Sequence, residues 1–268
     1  NFQVLRTDNY CSIDFVREYR MSTFNKIIDV LKKEGHVISK DTKMRVQQLV
    51  ECLKDKNSVH KLDDVILWLE NQRKRCEMKV GEIGISKLKE WVIDGKTKNI
   101  SHKSGEFFSV IGVKVSNTSK REVGGWTQPM IYQKEGGILG ILCKKINNIR
   151  HYLLHAKAEP GNIHKLQLSP TLQATYSNLK RAHGGKKPKF AEYFEGPRKG
   201  KVIYSRSFAE DGGRFYLKVN QNMLVEVSED EEIAVPDDYI WLTMHQIKQL
   251  LKHDNLINPH VRSIISYL

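Results

Sequence analysis

No apolar run in the chain approaches the roughly 20 residues that a membrane-spanning helix needs, so a membrane partner is not expected. Cysteine is also scarce. Cys11, Cys52, Cys76 and Cys143 lie far apart and form no C-x-x-C pair, which disfavours a zinc site or a disulfide framework. Thiols of that kind fit a reducing compartment, and a cytoplasmic protein is expected. The first twenty residues lack the apolar centre of a secretory signal. Acidic residues fall short of basic ones, 31 against 44, which leaves a formal net charge of +13. Such a charge marks either a nucleic-acid binder or a protein whose site holds a polyanionic small molecule. The lysines are spread along the chain rather than gathered into one tract, which weakens the nucleic-acid reading.

What is present suffices for a core: 268 residues, 40% of them hydrophobic, make one large domain or one domain with a helical extension. Residues 22–33 place Phe24, Ile27, Ile28 and Leu31 at helical spacing, and residues 42–53 do the same with Met44, Val46, Leu49, Val50 and Leu53. A third helix is expected over 63–75. From Gly105 the pattern turns to short strands. The expected strands are 107–115, 137–146, 149–158, 201–204, 214–219 and 223–227, with Asn147-Asn148 as a tight hairpin turn. Thr243-x-x-Gln246 opens a closing helix with a capping box. The fold class expected is α+β, a mostly antiparallel sheet with flanking helices.

Chemistry concentrates after residue 149. In an extended 149–159 segment, Lys157 and Glu159 share one face with His151, Leu153 and His155, at the mouth of a Pro160-Gly161 turn. Spacing leaves two readings open, a proton-handling site or an ion pair at a strand edge. His183 precedes Gly184-Gly185, where a helical turn should end, and is either an acid/base group or an ordinary surface histidine. Arg214 follows an Asp211-Gly212-Gly213 turn and suits either bidentate phosphate binding or a local pair with aspartate. Trp126, beside Gly124-Gly125, either stacks on a nucleobase or fills a core.

Taken together, several blocks resemble the NDP-hexose 2,3-dehydratases. They include Glu122-Val123-x-x-Trp126-x-Gln128-Pro129, Ala156-Lys157-Ala158-Glu159-Pro160-Gly161-Asn162 and Gln167-Leu168-Ser169-Pro170-Thr171-x-Gln173-Ala174-Thr175. Ser177-Asn178, His183-Gly184-Gly185, Gly213-Arg214-Phe215 and the closing Asp254-Asn255-Leu256-Ile257-Asn258 follow in family order. The resemblance spans residues 63–268 and leaves residues 1–62 as an N-terminal helical extension. His155 departs from the glutamine expected at its position, and so inherits no role.

The resemblance implies a Nudix-like module, although the clustered glutamates of a magnesium-binding Nudix box are missing after Arg121-Glu122. It implies a lyase acting on a nucleotide-linked 4-keto-6-deoxy sugar, dTDP-linked by expectation, with no cofactor, metal or nucleic acid. The acid/base pair implied is Glu159 and His183, with Tyr216 as a further catalytic candidate. Lys157 and Arg214 are expected to meet pyrophosphate or an oxyanion. Trp126, Gln128, Thr171, Gln173 and Asn178 are expected to line the substrate pocket. Family members usually join two related modules, so a single module is expected to form a homodimer. The alternatives are a basic nucleic-acid-binding protein and a nucleotide-sugar binder without turnover.

Overall fold

A computed structural model describes residues 20–53, 57–117, 119, 122–181, 186–196 and 199–268. The chain divides into two compact units, one closing at Lys56 and the other spanning Asn57–Tyr267. The first contains the two expected helices, α1 (Arg20–Lys33) and α2 (Lys40–Cys52), packed against each other. Ser39 caps α2, its hydroxyl accepting the Thr42 N–H at 3.0 Å. The helical spacing of Ile28, Val46 and Val50 puts all three among the buried side chains.

The second unit opens with α3 (Leu62–Arg75), which buries Val65 and Leu69. Trp68 Nε1 and Gln72 Nε2 tie α3 down by donating to the Asp237 carbonyl at 3.1 and 2.7 Å. Next come the outer strands, β1 (Trp91–Ile93), β2 (Ile100–His102), β3 (Ser109–Ser116) and β4 (Gly125–Tyr132). The inner strands begin with β5 (Gly137–Ile146), β6 (Ile149–Ala158), β7 (Leu166–Ser169) and β8 (Leu172–Thr175), followed by the short α4 (Tyr176–Leu179). The rest of the unit is β9 (Lys201–Ala209), β10 (Phe215–Tyr216), β11 (Val219–Glu226), β12 (Tyr239–Thr243), α5 (Met244–Leu250) and α6 (Pro259–Ile265).

Two sheets result. The outer one has the order β1-β2-β3-β4-β10, and the inner one β12-β6-β5-β11-β9, with β7 on β6 and β8 on β5. Pairing is antiparallel except for β10 on β4 and β11 on β5. The expected α+β class, antiparallel for the most part, is the one observed. The β5–β6 hairpin closes at Asn147 and Asn148, with φ of 51° and 61°, the left-handed pair that a twisted two-residue hairpin demands. The capping box of Thr243 and Gln246 is also formed.

The 214–219 strand is not continuous. Leu217 takes φ 53°, which breaks the run. Phe215 and Tyr216 stay on the outer sheet while Val219 starts β11 in the inner one. This change of sheet places Lys218 and Asn220 beside the start of β5, since Gln221 pairs with Ile138.

The core lies around the inner sheet, where Leu142, Leu153, Leu172, Phe194, Val225 and Trp241 form one cluster. Gly140 is required there, because a Cβ would come within 2.3 Å of the Phe194 ring. Among the described residues no helix is long and apolar enough to cross a membrane.

Candidate functional site

A cavity of about 300 Å³ opens at the end of the inner sheet where β5 and β11 begin. Leu139 of β5, Lys157 of β6 and Gln173 of β8 form one side of its wall. Phe215, Lys218 and Asn220 enter from the chain that changes sheets, Glu210 from the end of β9, and His260 from α6.

The β6–β8 side is a connected polar network. Glu159 Oε1 meets Lys157 Nζ at 3.2 Å and accepts from Gln173 Nε2 at 2.9 Å. So the pair expected from spacing forms, and both of its partners in the network line the cavity. Asn258, buried to 1% exposure, extends the network by donating to Gln173 Oε1 at 3.4 Å and Ser169 Oγ at 2.9 Å. Its own Oδ1 caps α6 by accepting the Val261 N–H at 3.0 Å, and its backbone N–H donates to Leu168 O. A single buried amide thereby fixes where α6 starts, and His260 is the second residue of that helix.

The β9–β11 side adds charge of both signs. Glu210 accepts from Asn220 Nδ2, and its backbone N–H donates to Lys218 O at 2.9 Å. Lys218 is only 5% exposed and donates its ammonium to the Glu135 carbonyl. Burial lowers its pKa, against the opposing pull of the Glu135 and Glu210 carboxylates. Glu135 is itself held by the Ser177 N–H and hydroxyl at 2.8 and 2.6 Å. His260 is likewise lowered, first by burial and then by Lys157, while Glu210 and Glu159 pull the other way.

Carboxylates, an imidazole and two ammonium groups thus surround one small cavity. Such a set can move protons and hold an anion at the same place. Among the described residues no cluster of three or more His, Cys, Asp and Glu side chains is arranged to hold a metal ion.

Of the residues singled out from sequence, Lys157, Gln173 and Asn178 line the cavity and Glu159 is bonded to two of them. The other described residues lie elsewhere. Thr171 is buried in the inner sheet, accepting the Leu142 N–H and donating to Leu153 O. Trp126 and Gln128 stand on β4, the indole N–H donating to Gln128 Oε1 at 2.6 Å and Gln128 Nε2 to Gly213 O at 2.8 Å. Arg214, with a side chain 77% exposed, pairs with Asp211 at 3.0 Å. Tyr216 meets the Tyr132 ring edge-on, with centroids 6.1 Å apart. His183 lies outside the described residues. Sequence reasoning gave no role to Glu210, Lys218, Asn220 or His260. No local spacing marks them, since β9, β11 and α6 bring them to Lys157 from far along the chain.

Comparison with known proteins identifies the family. The NDP-hexose 2,3-dehydratase family matches residues 62–268. A dTDP-4-dehydro-6-deoxy-alpha-D-glucopyranose 2,3-dehydratase of Saccharopolyspora spinosa is 42% identical over 199 residues, covering 74% of this chain and 40% of that protein. A protein of the same description from Amycolatopsis orientalis is 41% identical over 210 residues, covering 77% of this chain and 44% of its own length. The chain therefore spans less than half the length of these relatives. Among solved structures, an ADP compounds hydrolase aligns with 60% of this chain and 83% of its own, at 10% identity and a TM-score of 0.38. A likeness that slight decides nothing about fold or chemistry. The family match does decide membership, because it takes in every residue of the cavity: this chain belongs to the NDP-hexose 2,3-dehydratase family.

Proposed function

We propose that the chain removes water across C2 and C3 of a nucleotide-linked 4-keto-6-deoxyhexose, giving a 3,4-diketo-2,6-dideoxy sugar. The observation that carries this reading is the Lys157–Glu159–Gln173 network on a cavity that also holds Lys218, Glu210 and His260. The C4 ketone of such a substrate acidifies the C3 hydrogen and accepts the electrons released there. What the protein must add is a base at C3, a positive charge facing the C4 oxygen, and a proton for the departing C2 hydroxyl. Glu159 is the proposed carboxylate of the acid–base pair, and His183 its partner expected from sequence. Lys157 supplies charge, and Gln173 and Asn178 contact the sugar or its nucleotide. Because both relatives are named for a dTDP sugar, a dTDP-linked substrate is the first choice.

A cytoplasmic location, read from the scattered cysteines, belongs to the same proposal. So does a homodimer, which the exposed Val92, Ile93, Phe107 and Phe108 support as surface for a second copy to cover. Light scattering at micromolar concentration measures the assembly. For the activity, the test is incubation with dTDP-, GDP- and UDP-4-keto-6-deoxyglucose, with and without a chelator. The expected mass-spectrometric result is loss of one water from the dTDP sugar in both conditions. Unchanged substrate throughout contradicts the proposal.

A further inference from the structure

We propose that His260, in place of the Glu159–His183 pair, is the base that takes the C3 proton, an inference that rests on the dehydratase reading above. The histidine is not at the cavity by accident of surface. Asn258 anchors its helix to β7 and to Gln173, the same side chain that holds Glu159. Pro259 at the first helical position then sets the backbone that carries the imidazole to the cavity wall. Two carboxylates, Glu159 and Glu210, act on the ring electrostatically, and Lys157 opposes them. Lys218 is the further cation on the same wall.

This setting suits a base that must be neutral at rest. Burial favours the uncharged imidazole, so its lone pair is available near neutral pH. Glu159, by contrast, is paired with Lys157 and accepts from Gln173 through Oε1, and the adjacent ammonium stabilises its charged, less basic form. The step balances as follows. The C3 proton passes to the imidazole, and the C–H electron pair becomes the C3–C4 double bond of an enolate whose charge rests on the C4 oxygen. The C4 carbonyl then re-forms, the C3–C4 pair becomes the C2–C3 double bond, and the C2–O bond breaks, the hydroxyl taking a proton from the imidazolium and leaving as water. The C3 enol left behind tautomerises to the diketo sugar as its hydroxyl proton moves to C2. Glu159 and Glu210 stabilise the imidazolium in between.

The test uses the full chain with dTDP-4-keto-6-deoxyglucose, His260→Gln and His260→Asn, circular dichroism to follow folding, and free dTDP as the binding probe. Loss of a general base should lower kcat about 10²–10⁴-fold. The dTDP affinity should hold within about threefold, since the ring is assigned no nucleotide contact. Exchange of the C3 hydrogen in deuterium oxide should disappear in both variants. The rise of kcat/KM with pH, as the wild-type imidazole loses its proton, should flatten. Wild-type turnover with C3 exchange intact in the His260 variants overturns this inference alone. Exchange lost in His183→Asn but kept in His260→Gln overturns it in favour of His183. Variants that lose folding or dTDP affinity together with turnover assign His260 to structure and overturn it as well. No turnover by the wild-type chain overturns the dehydratase reading beneath it.

Discussion

The two sheets of the second unit use the same alternating strands but bury them differently. β5 is buried along its first seven residues and β12 throughout, whereas β3 and β4 alternate between partly covered and exposed positions. Polar groups at the inner sheet are correspondingly held by several partners at once, as Asn258 and Glu135 are. On the outer sheet Arg214 makes an exposed pair with a neighbour three residues away. Preorganised charge costs little further ordering during reaction, while an exposed pair in water contributes little. The difference supports the proposed placement of the chemistry at the inner sheet.

The sharpest way to break that comparison is Glu159→Gln, which keeps the shape and removes the charge. Loss of its stabilising charge beside the His260 imidazolium should lower kcat about 10²–10³-fold while dTDP binding changes far less. Steady-state kinetics beside a dTDP titration measures both. Next is Lys218→Met, expected to weaken dTDP binding about 10- to 100-fold, the usual range for a lost charge-assisted hydrogen bond. Lys218 also predicts a pH dependence. Its pKa is lowered, so the ammonium is intact below that value and anion binding weakens as pH rises through it. Lys218→Arg should abolish that alkaline loss, and calorimetry across pH is the measurement.

Thr171→Val probes the inner sheet for stability rather than chemistry. It strips the buried Leu142 N–H and Leu153 carbonyl of their shared partner, and should cost about 1–3 kcal/mol in denaturant unfolding. The smallest effect is expected from Arg214→Ala on the outer sheet. Stability should change by less than about 0.5 kcal/mol and kcat by less than about twofold. A large loss of kcat there would extend the site to the β10 end.

Much of the inner sheet was legible because its signals are local. The runs 137–146 and 149–158 are β5 and β6, and the Asn-Asn turn between them adopts the backbone those residues tolerate. The three N-terminal helices were legible from their 3.6-residue spacing, although the Ser39 cap that starts α2 at Lys40 was not. β1, β2, β7, β8 and β12 were not, being strands of three to five residues whose identity depends on the neighbours they pair with, and the longer β4 was masked by the Gly124-Gly125 and Pro129 at its start and middle. The break at Leu217 was also hidden, since leucine carries no sequence signal for a positive φ.

The site divides in the same manner. Lys157, Glu159 and Gln173 stood in contiguous blocks. Glu210 and Lys218, on either side of the Arg214 turn, reach the cavity only once β11 lies parallel to β5, and His260, two residues beyond Asn258, only once α6 is anchored to β7 and Gln173.

A crystal structure of the chain soaked with a dTDP-linked 4-keto-6-deoxy sugar tests the central claim most directly. The account predicts the sugar ring in the cavity between β6, β11 and α6, with C3 within about 3–3.5 Å of the His260 imidazole, the separation of a reactive pose. A sugar bound instead over Trp126 and Arg214 on the outer sheet, with the inner cavity untouched, would contradict it.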